Sequence, residues 1–267
     1  MIGAIAGDVI GSVYEGRPAP RRDFPLFVSA STFTDDTVLT VAVANAIREG
    51  TVFGEALRRW GRRYPHAGYG GWFRDWLFRE GAGPYSSFGN GSAMRVAAVG
   101  WAFDDLDRVL HEAAESAAVT HNHPEGIKGA QAVAAAILLG RTGEPKEAIA
   151  ALLSDRFGYD CCTPLAVLRR RGGFDVTCQG TVPAAAAALL ESTDYEDSVR
   201  NAVSLGGDTD TLACIAGAMA EAYYGGVPAQ IQAEALRRLD EPLRRETFEF
   251  AHAYRVPLAA NSERAGR

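Results

Sequence analysis

Apolar residues recur at helical spacing along almost the whole chain, and no stretch shows convincing period-two alternation bounded by turn residues. After Asp36, residues Val38, Leu39, Ala42, Ala46 and Ile47 fall on one face. Trp72, Phe73, Trp76 and Leu77 do the same over 71–80. Further helices are predicted over 51–63, 104–119, 124–139, 145–153, 183–190, 195–204, 228–239 and 242–253. Several carry proline near the first helical position, where its missing N–H would have no partner anyway. The pattern predicts an all-α, compact chain with no long linker, low-complexity block or fixed-period repeat, while the length of 267 residues allows one large domain or two small ones. The polar tail 261–267 is expected to fray.

The first helix, predicted over 2–15, carries two stripes. Gly3, Gly7 and Gly11 at i, i+4 and i+8 leave one face bare, which permits close approach of another helix. Asp8, Ser12 and Glu15 at i, i+4 and i+7 draw a polar line along an otherwise apolar helix. A buried carboxylate needs partners, so this line points to a metal site or polar cavity, with backbone bracing the alternative for Asp8. Residues 17–31 hold three prolines and little periodicity, an ordered loop that would let Glu15 swing over a substrate.

The richest chemistry lies at two other helix starts. In Ser204–Gly225, SLGGDTDTLACIAGAMAEAYYG, a Gly-Gly turn precedes Asp208, Asp210 and Thr211, and a long Ala-rich run follows. Capping of free N–H groups accounts for one of these Asp residues but poorly for two, since adjacent carboxylates repel unless something positive lies between them. Phe33-Thr34-Asp35-Asp36-Thr37 opens a helix in the same way. Four carboxylates with two Thr hydroxyls would be neutralised by two divalent cations. Hard oxygen donors without nearby Cys or His select Mg or Mn over Zn.

Composition narrows the class. Hydrophobic content of 47% with 22% charged residues fits a soluble protein with a sizeable core. A net charge of −6 argues against a general nucleic-acid surface but leaves room for a small anionic substrate at a metal. No run approaches the roughly 18 to 20 apolar residues a membrane span needs. The N-terminus lacks a basic leader and Asp8 interrupts its apolar run, so no signal peptide is expected. The four cysteines contain no CxxC pair, which reads as reduced thiols in a cytoplasmic protein. Without a coiled-coil seam, a monomer is expected.

Two turns remain. Phe88-Gly89-Asn90-Gly91-Ser92-Ala93-Met94-Arg95 is a Gly-rich turn entering a helix, where free N–H groups with Ser92 and Arg95 would suit phosphate oxygens; it is also an ordinary turn and cap. In Thr120-His121-Asn122-His123-Pro124-Glu125, Asn122 is the expected cap with Pro124 in first position. His121 and His123 are candidates for ligand contact or proton handling, though three His ligands for zinc assemble nowhere. Tyr85 and Phe88 are candidates to stack a base, against core packing.

Together, GDVIGSVYEG, FTDDT, FGNGSAMR, THNHPEG and GGDTDT, in that order from residue 7 to residue 211, resemble the ADP-ribosylglycohydrolase family, which includes the dinitrogenase-reductase-activating glycohydrolase. The resemblance implies a single all-α bundle, one domain over 1–267, with two Mg or Mn ions in a central cleft. By that match Thr34, Asp35, Asp36, Asp208, Asp210 and Thr211 would be metal ligands. Glu15 would correspond to a flexible-loop acid/base, with Asp35 and Asp208 beside it in the catalytic set. Asn90, Gly91, Ser92, Met94 and His121 would line the ADP-ribose site. The substrate would be an ADP-ribosylated protein or small ADP-ribose conjugate, and the chain is on the short side for docking insertions. Two rivals remain at this level: a metal-dependent phosphohydrolase, whose Asp-x-Asp motif normally follows a β-strand, and a non-catalytic ADP-ribose-binding protein.

Overall fold

In the computed structural model, residues 1–259 are described, and the 261–267 tail lies outside them. The helices are α1 (Ile2–Gly11), α2 (Asp35–Glu49), α3 (Phe53–Arg63), α4 (Gly71–Phe78), α5 (Gly91–Met94), α6 (Ala97–Ala102), α7 (Leu106–Ala118) and α8 (Pro124–Arg141). After them come α9 (Lys146–Ala151), a π-helical turn Leu152–Arg156, α10 (Leu165–Arg171), α11 (Cys178–Leu190) and α12 (Tyr195–Val203). The last three are α13 (Thr209–Tyr224), α14 (Ala229–Arg237) and α15 (Glu241–Ala253). Among the described residues there is no strand, only one isolated antiparallel bridge between Gly89 and Thr177. The expected all-α class holds, and α12 is a helix where a phosphohydrolase motif at Asp208 would need a strand.

Two helices form the centre. Every residue of α1 is buried, and its glycines meet the backbone of α13. A Cβ at Gly7 would lie 2.0 Å from the Ala213 carbonyl oxygen, and one at Gly3 or Gly11 would lie 2.3 Å from Gly217 O or Thr209 O. Only a bare face allows this approach. Hydrogen bonds pin both ends: Glu221 accepts from Gly3 N (3.0 Å) and Ile2 N (3.2 Å), while Thr209 Oγ1 donates to Gly11 O (2.9 Å). Since α13 is also packed by α8, α11 and α12, it runs through the core.

Several boundaries differ from expectation. Helix α1 stops at Gly11, and turns carry the chain to Gly16. Thus Ser12 folds back to donate to Val9 O (3.0 Å), and Glu15 leaves the helical line altogether. Pro183 does not open its helix: α11 starts at Cys178, capped by Thr177, and Pro183 sits inside it. A proline there forfeits one helical hydrogen bond, which packing of an apolar helix offsets. Helix α3 begins at Phe53 with no side-chain cap, so Thr51 does not start it. The segments α5, α6 and α10 are too short for periodicity to reveal.

Candidate active site

Helices α2 and α13 start side by side at the base of a cleft of about 420 Å3. That volume lies within the usual range for small-molecule sites, roughly 300 to 1,000 Å3. Glu15, Thr34, Asp35, Asp36, Asp208, Asp210 and Thr211 line it. Asn90, Gly91, Met94 and His121 line it as well. Of the residues expected there, Ser92 alone is turned away, because its buried hydroxyl donates to Gly126 O at 2.7 Å.

Each helix start presents carboxylates for a local reason. Thr34 caps α2, accepting from Asp36 N (3.2 Å), and its hydroxyl donates to Asp8 Oδ1 (2.8 Å). Asp8 also accepts from Thr34 N (2.9 Å), Thr37 N (3.1 Å) and the Thr37 hydroxyl. Asp8 therefore braces the turn that carries Asp35 and Asp36, the backbone alternative. Asp208 occupies the cap position of α13 without capping it. Instead its Oδ2 accepts from Asn90 Nδ2 at 2.6 Å. Both helix starts direct positive dipole ends at these carboxylates.

The electrostatics leave a gap of one sign. Among the described residues, no ion pair involves Asp35, Asp36, Asp208 or Asp210. Burial, reinforced by Asp210, pushes the Asp36 carboxyl well above its usual range. Asp210 also rises well above that range, through burial and then Asp208, and Asp208 rises through burial. Asp35 keeps part of its surface in the cleft, yet burial and the Asp8 charge push it up to about 8. The Oδ2 of Asp36 accepts from Thr211 Oγ1 (3.3 Å), but its buried Oδ1 has no partner. One orphaned buried oxygen among mutually repelling carboxylates, with no Cys or His in the set, fits a hard divalent cation.

Glu15 is exposed and enters the cleft from the turns after α1. One carboxylate oxygen each from Glu15, Asp208 and Asp210 lies within 4.8 Å of the others. Burial and the Asp208 charge raise its pKa, the direction an acid requires.

The glycine turn differs most from its expected form. Asn90 N donates to Val176 O (2.7 Å), so it is not free for a phosphate, and the Asn90 amide is turned to Asp208 and Thr181. Arg95 is buried, donating to Ser116 O and Thr120 Oγ1. His123, not Asn122, caps α8, accepting from Glu125 N (3.1 Å), and its ring packs on Phe88 at 5.3 Å. Asn122 Oδ1 accepts instead from Ser86 N. Exposed Trp72, Phe174 and Val176 also line the cleft: Trp72 turns outward from the helical face it was expected to share with Phe73, Trp76 and Leu77, and 172–176 has no periodicity to mark it. Tyr85 packs between Trp72 and His121, with centroids at 6.1 and 5.9 Å.

Paired acidic helix starts at the base of a cleft in an all-helical bundle define a class of hydrolase that comparison with known proteins identifies. The ADP-ribosylglycohydrolase family model matches residues 1–264, and the chain belongs to that family. It is 26% identical to the ADP-ribosylhydrolase ARH3 of Xenopus tropicalis, over 84% of this chain and 86% of the relative. To the ADP-ribosylarginine hydrolase Tri1 of Pseudomonas putida (strain GB-1) it is 25% identical, over 94% of this chain and 77% of the relative. A solved structure described as an ADP-ribosylglycohydrolase-related protein complex superposes with a TM-score of 0.73 at 29% identity, covering 96% of this chain and 97% of the other. The chain is thus an enzyme, a hydrolase of glycosyl bonds in ADP-ribose conjugates.

Proposed function

We propose that this enzyme cleaves the bond between C1″ of the distal ribose and a leaving N or O atom, releasing ADP-ribose from an ADP-ribosylated protein or small conjugate. The observation that carries this reading is the meeting of Asp35, Asp36, Asp208 and Asp210 from two helix starts far apart in the chain, with none of them in an ion pair among the described residues. Thr34, Asp35, Asp36, Asp208, Asp210 and Thr211 would hold two Mg or Mn ions. Bound there, such ions supply charge neutralisation and a grip on ribose hydroxyls and water.

The chain's own residues carry the rest. Glu15, with its raised pKa, gives its proton to the leaving atom as the C1″ bond breaks. A water oxygen bonds to C1″, and its proton passes to Asp35 or Asp208, whose carboxylates also favour the oxocarbenium-like charge. Asn90 keeps Asp208 in place. Gly91, Met94 and His121 wall the side where the rest of the ADP-ribose lies, with Ser92 shaping the turn from behind.

We further propose that residues 1–267 act as one domain, as a cytoplasmic monomer. The four free cysteines support that compartment, and among the described residues no helix is long and apolar enough to cross a membrane. The deciding experiment measures release of free ADP-ribose from arginine-linked and serine-linked substrates, with Mg, with Mn and with chelator, alongside Asp208→Asn. Metal-dependent release that the variant loses is the expected result. Metal-bound protein that binds ADP-ribose yet releases none from any conjugate would overturn the hydrolase assignment.

A further inference from the structure

Arg95 is fully buried, lines the cleft and takes part in no ion pair among the described residues. Its Nη2 donates to Ser116 O (2.8 Å) and Thr120 Oγ1 (2.9 Å). Since a guanidinium has only donors, Thr120 Oγ1 is the acceptor in that bond. The other hydrogen-bond neighbour of this hydroxyl is His121 Nδ1, at 2.7 Å.

Thr120 is buried, so its hydroxyl proton needs an acceptor; the Tyr85 hydroxyl also lies near it, but Nδ1 at 2.7 Å is the acceptor within hydrogen-bond distance. The hydroxyl therefore donates to Nδ1, which leaves the ring proton on Nε2. That nitrogen faces the glycine turn: a Cβ built on Gly91 would lie 3.1 Å from it, and one on Gly89 3.7 Å.

We infer that Arg95 and Thr120 are positioning residues that hold His121 as a neutral imidazole, its Nε2–H aimed into the cleft to donate to an oxygen of the bound ligand. Burial and the neighbouring Arg95 charge both oppose the imidazolium and push its pKa well below the usual value. Tyr85 is the other titratable side chain packed against the ring. The Arg95 charge also polarises the chain of bonds, which strengthens the outward donor toward an anionic oxygen. Only the identity of the ligand rests on the hydrolase reading; the relay itself does not.

The test uses full-length protein labelled with 15N-histidine and long-range proton–nitrogen spectra from pH 5.5 to 8. Loss of one signal in His121→Gln assigns the residue. The expected pattern is a protonated Nε2 and a bare Nδ1 that do not titrate. Thr120→Val should shift that pattern and weaken ADP-ribose binding about tenfold, the scale of one lost hydrogen bond, while Thr120→Ser restores both. A protonated Nδ1 in the unaltered protein, or an unchanged tautomer in Thr120→Val, overturns the relay. Failure of the unaltered protein to bind ADP-ribose would instead count against the hydrolase reading, and the tautomer would still decide the relay.

Discussion

Asn90 Nδ2 lies 2.6 Å from Asp208 Oδ2, so a side chain on the glycine turn fixes the direction of a carboxylate on the start of α13. The same amide also donates to Thr181 Oγ1 (3.0 Å), which holds its plane. Partners that orient metal ligands in this way are worth about 10- to 100-fold in metal affinity or activity. Asn90→Leu, similar in size but without a donor, should lower activity by that factor while the helical spectrum stays unchanged. Steady-state kinetics over a metal titration would check it, and unaltered rates at every metal concentration would count against the orienting role.

The position of Glu15 beside Asp208 and Asp210 separates two roles by one substitution. If it supplies a proton, Glu15→Gln should cut kcat by about 10² to 10⁴ with metal affinity nearly unchanged. Calorimetric metal titration alongside kinetics would decide this. Parallel loss of metal affinity and kcat would make Glu15 a ligand instead.

Stability without metal should depend on pH in an unusual sense. Unfolded Asp titrates near about 3.9, whereas burial pushes Asp35 up to about 8 and Asp8 up to about 6 in the fold. Below the unfolded value both states hold the proton, and the contribution to stability is fully present. As pH rises toward the folded values only the unfolded chain releases its proton, so this contribution is lost by about pH 8. Chelated protein should therefore melt at a higher temperature at pH 5 than at pH 8, and added Mg or Mn should raise the pH 8 value while releasing protons. A melting temperature that climbs with pH in chelator would refute the assignment.

At the helix crossing, Gly7→Ala places a methyl 2.0 Å from a carbonyl oxygen that cannot move without shifting α13. Overpacking of this kind costs about 1 to 3 kcal/mol or more. Gly70→Ala, with open space around its Cβ, is the control. Denaturant unfolding should show a large loss for the first and little change for the second.

Long periodic segments and repeated acidic starts were legible because each is local: TDDT and GGDTDT announce their helices and their charge within a few residues. The bare face of Gly3, Gly7 and Gly11 was equally plain. What could not be read is what depends on distant partners. Nothing near Asn90 in the chain signals that its amide belongs to Asp208, and nothing near Asp8 signals that its oxygens serve Thr34 and Thr37. Ser92 follows the same logic, since its hydroxyl is drawn away by a carbonyl on α8. Pro183 misled because proline favours a first turn, while Thr177, whose hydroxyl accepts from Gly180 N, had already opened the helix.

Helix α1 touches both acidic starts, through Asp8 to the Thr34–Thr37 turn and through the Gly11 carbonyl to Thr209. Asp36 and Thr211, joined across the site, are separated by 175 positions in the chain. During synthesis the first acidic pair thus leaves the ribosome long before its counterpart, with its brace already attached. The acidic cluster is incomplete until α13 has docked on α1, so a chain truncated before Asp208 would carry only Asp35 and Asp36 of the four carboxylates.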